Sequence, residues 1–340
     1  SAASDVYKRQ VLKREFRSYF QNVVGWLFVA VLMALFGLYF YVYNLRQGYP
    51  YLYYTLSAIT IIFMIAVPIL TMRSFAEDRK NKTDQLMLTA PVPVAKIVLG
   101  KYLAMLAVFT VDIAVFCVMP LILRAFGTIP MGESYIAILA FWLYGAASIA
   151  VGMFISALTE SQVIAAVLTF VVLFISYMMQ SLTGLISSDG NWLTKILNCL
   201  DLYAPFEKFQ GGCLDITAIL YYVTVIVLFN FFTVQAIQKR RWSISKKTFS
   251  LSVFSSSFIV VVFALAVVAN LAVDALPTGI TSVDCSYSKL YSITKDTKKN
   301  MKKLKSDVTI YVLAAEKSKD AQIDSCLLYT SPSPRDRTRS

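Results

Sequence analysis

Val23-Val-Gly-Trp-Leu-Phe-Val-Ala-Val-Leu-Met-Ala-Leu-Phe-Gly-Leu-Tyr-Phe-Tyr-Val42 runs twenty residues without a charge. At about 1.5 Å per helical residue it covers a hydrocarbon core of about 30 Å. Apolar stretches of similar length recur at 51–72, 97–123, 135–158, 163–186, 216–237 and 249–273. Lipid offers the backbone no partner, so each stretch is expected to be a helix that satisfies its own N–H and C=O groups. The whole composition agrees. The chain is 57% hydrophobic and only 15% charged, where a soluble domain carries about a quarter charged residues. The expected fold is an all-α polytopic membrane protein.

Two end segments, 1–10 and 326–340, resemble translated sequencing-adapter DNA and are set outside the fold. They hold five of the 32 basic and two of the 20 acidic residues, so the net charge falls from +12 to +9. That balance follows the loops. Lys13, Arg14 and Arg17 precede the first span. Arg73, Arg79, Lys80, Lys82 and Lys96 lie between the second and third, and Lys239, Arg240, Arg241, Lys246 and Lys247 between the sixth and seventh. The alternate loops hold only Arg46, Arg124, Lys195 and Lys208. The asymmetry predicts a cytoplasmic N-terminus and an extracytoplasmic end after the seventh span. It also accounts for the basic charge without nucleic acid.

The chain has no histidine, which removes His-based metal sites and His general bases. Outside the end segments the cysteines are Cys117, Cys199, Cys213 and Cys285, with no CxxC pair. Cys199 and Cys213 fall on one outer side, where a disulfide is chemically allowed but not specified by the sequence. Residues 11–20 place Leu12, Phe16, Tyr19 and Phe20 on one helical face. They read as a surface helix or as a cytosolic extension of the first span.

The segment between the second and third spans is the exception to all this apolarity. Arg73-Ser-Phe-Ala-Glu77-Asp78-Arg79-Lys-Asn-Lys-Thr83-Asp84-Gln-Leu86-Met87-Leu-Thr-Ala-Pro91 is charged first, apolar next, and then broken by Pro91 and Pro93. A short helix with an apolar ridge suits docking into a partner's groove. An ordinary solvated loop is the alternative.

Two stretches carry a resemblance. Glu77 with Thr83-Asp84-Gln85-Leu86, then Thr89-Ala90-Pro91-Val92, leads into Val98-Leu99-Gly100-Lys101. Ala204-Pro205-Phe206-Glu207-Lys208-Phe209-Gln210-Gly211-Gly212 precedes the sixth span. These stretches resemble type-2 ABC exporter permeases, of the gliding-motility type, over about 11–239. Lys82 stands where that pattern often has glycine. The resemblance implies six permease helices, a second permease copy, and a coupling helix between spans two and three. It also implies a separate cytosolic ABC ATPase that carries ATP and Mg. The last point has a check within the sequence: no G-x-x-x-x-G-K-[ST] occurs. The ATPase-coupling residues so assigned are Arg73, Glu77, Asp78, Arg79, Thr83, Asp84, Leu86, Met87 and Pro91. The outer motif supplies Pro205, Phe206, Glu207, Phe209 and Gly211.

The remaining polar candidates lie in or near the spans. Asp112 sits within the third, where a charge costs about 2.5–3.5 kcal/mol on insertion scales. It is expected to face the bundle or to be protonated, either as a substrate or gating contact or as a neutral, hydrogen-bonded tie between helices. Glu160 marks a cytoplasmic turn between spans four and five. Asn230 and Gln180 read as polar glue between helices. Gly145, Ala146, Ala147 and Gly152 read as close-packing positions. Trp192, Ile196, Leu200 and Tyr203 share one face of an outer interfacial helix.

The expected organisation is a permease over 11–240, a linker and seventh helix over 241–276, and the start of an extracytoplasmic α/β domain over 277–325. In the last, a strand at 287–293, a helix at 294–304 and a strand at 308–313 resemble an auxiliary subunit found with gliding-type permeases. The expected function is the permease subunit of an ATP-driven exporter in a bacterial cytoplasmic membrane. Its rivals are a mechanical or regulatory complex that moves no solute, and an ATP-independent channel or secondary transporter.

Overall fold

A computed structural model describes residues 14–83, 93–186, 200–209, 212–240, 261–272, 282–284 and 299. Helix α1 covers 14–21. It is followed by α2 (Val23–Phe40), a π-helical turn (Tyr41–Arg46), α3 (Leu52–Thr71) and α4 (Arg73–Lys80). Next come α5 (Val94–Phe116), α6 (Met119–Arg124), α7 (Met131–Leu158), α8 (Gln162–Ile186) and α9 (Ala204–Glu207). Strand β1 (Cys213–Asp215) leads into α10 (Ile216–Arg240). Helix α11 (Val261–Ala272) and strand β2 (Ser282–Asp284) complete the described chain. Among the described residues, six helical stretches are long and apolar enough to cross a membrane, matching the first six spans read from sequence. Of the seventh, only α11 is described; 249–260 and 273 lie outside the described residues.

The third span differs from its expectation. It breaks at Cys117–Val118 into α5 and α6. Pro120 explains the break: it has no N–H to give the carbonyl of Phe116, and its ring crowds that carbonyl. At the first or second position of α6 the same proline starts a helix without penalty.

Helix α7 is the axis of the bundle. It packs against α3, α4, α5, α8 and α10, and 78% of its apolar window is buried, against 28% for the first span. The small residues read from sequence allow this. A Cβ on Gly145 would run into the rings of Phe109 and Phe63, and one on Gly152 would lie 2.5 Å from Thr71 Oγ1. With no side chain there, the backbones of α3, α5 and α7 come close enough for Phe63, Phe109, Phe141 and Tyr144 to pack on one another. The outward faces of α2 and α8 carry Trp26, Leu27, Val163, Val167 and Ile175, all exposed, as lipid-facing residues should be.

The contacts define two ends. Helix α4 meets α1, the start of α5 and the end of α7 at the near end. Helix α9 meets the start of α3 at the far end. The polar glue read at two positions is corrected. Asn230 Nδ2 donates to Ile226 O one turn back on its own helix, and its Oδ1 has no partner. The i−4 carbonyl is the nearest acceptor, so the side chain is satisfied locally instead of across helices. Gln180 is exposed.

Candidate functional site

The near-end site is built on a helix that begins badly. Helix α4 follows α3 after a one-residue break at Met72, and methionine has no side-chain oxygen to cap the amides of the first turn. The cap comes from another helix. Ser156 Oγ on α7 accepts from Phe75 N and Ala76 N, both at 3.2 Å, and donates to Met72 O at 3.1 Å. One buried hydroxyl thus satisfies three backbone groups at the junction. Phe75 and Ala76 are buried behind it.

Lys101 holds the middle of α4. Its ammonium, on α5, lies 2.9 Å from Asp78 Oδ2, 3.4 Å from Glu15 Oε2 and 2.8 Å from Ser74 O. The Phe75 ring stands 5.2 Å away, within cation–π range. The lysine is 5% exposed. One buried cation therefore joins α1, α4 and α5. Asp78 is shared in turn, since Thr83 Oγ1 donates to its Oδ1 at 3.2 Å and to its backbone carbonyl at 3.1 Å.

Two further pairs lie toward the surface. Arg73 donates twice to Glu77, at 2.6 and 2.8 Å, one helical turn apart. Arg79 reaches Glu160, in the turn after α7, at 2.9 Å. Glu160 is 77% exposed, so this second pair contributes little. The sequence-assigned Arg73, Glu77, Asp78, Arg79, Thr83 and Glu160 thus share one cluster. Asp84, Leu86, Met87 and Pro91 lie outside the described residues. Ser156 escaped the sequence reading because a serine in a small-residue helix looks like packing. Lys101 was quoted only as part of a motif; a lysine inside a span-like run of buried residues is the signal that marks it.

The turn that ends α4 also bears on the resemblance. Lys82 has φ +57°, in the left-handed region that glycine occupies at no steric cost. We expect Lys82→Gly to leave thermal stability equal to or above that of the parent. Lys82→Val should lower it by about 1 kcal/mol or more, since a β-branched residue fits that region worst. Denaturation of the purified variants side by side measures the difference.

Asp112 faces the bundle, as expected, at 0% exposure on α5. Among the described residues neither carboxylate oxygen has a hydrogen-bond partner, and no tie to another helix is seen there. Its turn of α5 is surrounded on the same buried stripe by Val108, Phe109 and Phe116, which have nothing to donate.

The far-end motif forms a second cluster. Asp201 Oδ1 accepts from Tyr203 N at 2.8 Å and Ala204 N at 2.9 Å, opening α9. Pro205 fits the first turn, and both it and Phe206 are buried. The Phe206 ring stacks on Tyr53 at 5.2 Å and meets Tyr203, Tyr144 and Phe141 within 6.4 Å. Tyr203 and Ser57 hydroxyls share a 2.8 Å bond. Ser176 Oγ accepts from Leu202 N and donates to Leu200 O, and Tyr222 donates to Leu202 O. Burial pushes the Asp201 carboxyl up, although the two amides pull it back, and burial with the nearby Asp201 charge raises Glu207. Phe209 is buried; Gly211 lies outside the described residues. Cys213 sits in β1, while Cys199 and residues 192–198 lie outside the described residues, as do 287–293, 294–298, 300–304 and 308–313.

Six apolar helices among the described residues, with α7 at the centre of the bundle and a charged helix anchored at one end, are those of a multi-pass membrane protein. Residues 40–211 match the family model for ABC-2 family transporter proteins, and the chain belongs to that family. It is a membrane component of an ABC transporter. The matched region runs from the end of span one to the far-end motif. No curated protein matches the chain.

Proposed function

We propose that this chain is the permease subunit of an ATP-driven exporter, of the gliding-motility type, in a bacterial cytoplasmic membrane. The near end faces the cytoplasm, where α4 and the segment after it receive a separate ABC ATPase that binds ATP and Mg. Two permease copies enclose the path, and ATP-driven closure of the ATPases rearranges them. The carrying observation is the anchoring of α4. Lys101 and Ser156 bind it to α5, α1 and α7 through buried polar contacts. A force on α4 is therefore a force on spans three and four. An isolated surface loop would absorb the same push by bending.

The test is capture of the cognate ATPase by the full-length permease in detergent. Glu77→Lys with Leu86→Asp reverses a charge and breaks the apolar ridge. The double variant should lose most of the captured ATPase while still eluting as the parent does on size exclusion. ATPase capture equal to the parent removes the docking assignment. Uptake into inverted vesicles, with and without ATP, then separates solute export from a mechanical complex that moves none.

A further inference from the structure

We infer that residues 282–284 clasp the far end of span six, and that the chain crosses the membrane a seventh time to reach it. Strand β1 lies directly before α10, and Asp215 joins the two by accepting from Thr217 N and Oγ1 at 2.8 Å each. Strand β2 pairs antiparallel with β1, Cys213 opposite Asp284, Leu214 opposite Val283 and Asp215 opposite Ser282. So β2 is at the N-terminal end of α10. The 25 residues of α10 put Arg240 about 37 Å away, a membrane thickness. The chain has to cover that distance in reverse between 241 and 281. The described element on the way is α11, apolar, with Leu265, Val268 and Leu271 exposed. At 12 residues it is too short to span alone, and its apolar, exposed surface is what suits it to lie within a crossing.

The pairing also has a local cause. A short strand with an open edge leaves N–H and C=O groups unpartnered, and a second extended segment of the same chain supplies their partners. Residues 282–284 are thereby fastened to the strand that opens span six, and they would shift when that end of span six shifts. The inference rests on the membrane fold alone and stands or falls apart from any ATPase.

The experiment uses the full-length protein in membranes, with Cys117, Cys199, Cys213, Cys285 and Cys326 replaced by serine. Leu214→Cys with Val283→Cys then places two thiols at directly opposed positions, where Cα atoms lie about 4.5–5.5 Å apart and a disulfide fits. After mild oxidation, mass spectrometry should find the joined peptide as the main form. The pair shifted by one residue, Leu214→Cys with Ser282→Cys, points to opposite faces and should give little of it. Separately, Val283→Cys alone in the same cysteine-free background should react with a membrane-impermeant maleimide from the side opposite to Lys80→Cys alone. Equal joining of the two pairs, no joining of either, or labelling of both single cysteines from one side overturns the inference.

Discussion

Lys101→Met is expected to lower the stability of the purified permease by about 3–5 kcal/mol, the range for removing one partner of a buried ion pair. The reason lies in what remains. Asp78 and Glu15 face an apolar methionine in place of the ammonium, and Ser74 O loses its donor. Lys101 is 7% exposed in its side chain, so water cannot replace the lost contact. Neutralising the carboxylates should reverse much of the loss: Lys101→Met with Asp78→Asn and Glu15→Gln is expected to recover at least half of it. Thermal denaturation of the single, paired and triple variants forms the cycle. If the charge-neutral triple variant is no more stable than the single, the cluster is not held by charge compensation.

The second large effect is at the other end. Phe206→Ala should cost about 3–5 kcal/mol, as expected for emptying a fully buried aromatic site. Phe206 is 0% exposed and touches rings from α3, α7 and the turn before α9. Those helices cannot collapse onto the gap without breaking the Ser57–Tyr203 and Ser176–Leu202 bonds. Phe206→Leu, which keeps most of the volume, should cost about 1.5 kcal/mol or less. Phe126, on the loop after α6 at the same end, is 77% exposed. Its alanine variant should change stability by about 0.5 kcal/mol or less. Comparable losses for Phe206→Ala and Phe126→Ala would deny the motif its packing role.

The spans were readable because lipid imposes one demand, long uncharged runs, and the sequence meets it openly from Val23 onward. Internal breaks were harder to see. Pro120 lies in a run as apolar as any other, and the split of the third span depends on which carbonyl the proline faces. The charged face of α4 announced a site; its anchors did not. Ser156 is ordinary in composition, and only the break at Met72 gives it backbone amides to hold. Lys101 acquires meaning from Glu15, eighty-six residues away in the chain and next to it in space. The strands β1 and β2 are three residues each, too short for an alternation to register. At Asn230 the sequence named the residue correctly and its partner wrongly, because a local carbonyl competes with any neighbour across the interface.

Helix α7 carries both clusters at once. Ser156 grips the α4 junction, and Tyr144, twelve residues earlier, lies against Phe206. About 18 Å of uninterrupted helix separates the two. A stiff rod gripped near its end and at its middle transmits tilt with little loss, so a rotation imposed at the α4 junction would reach the aromatic cluster around Phe206 without a flexible relay between them.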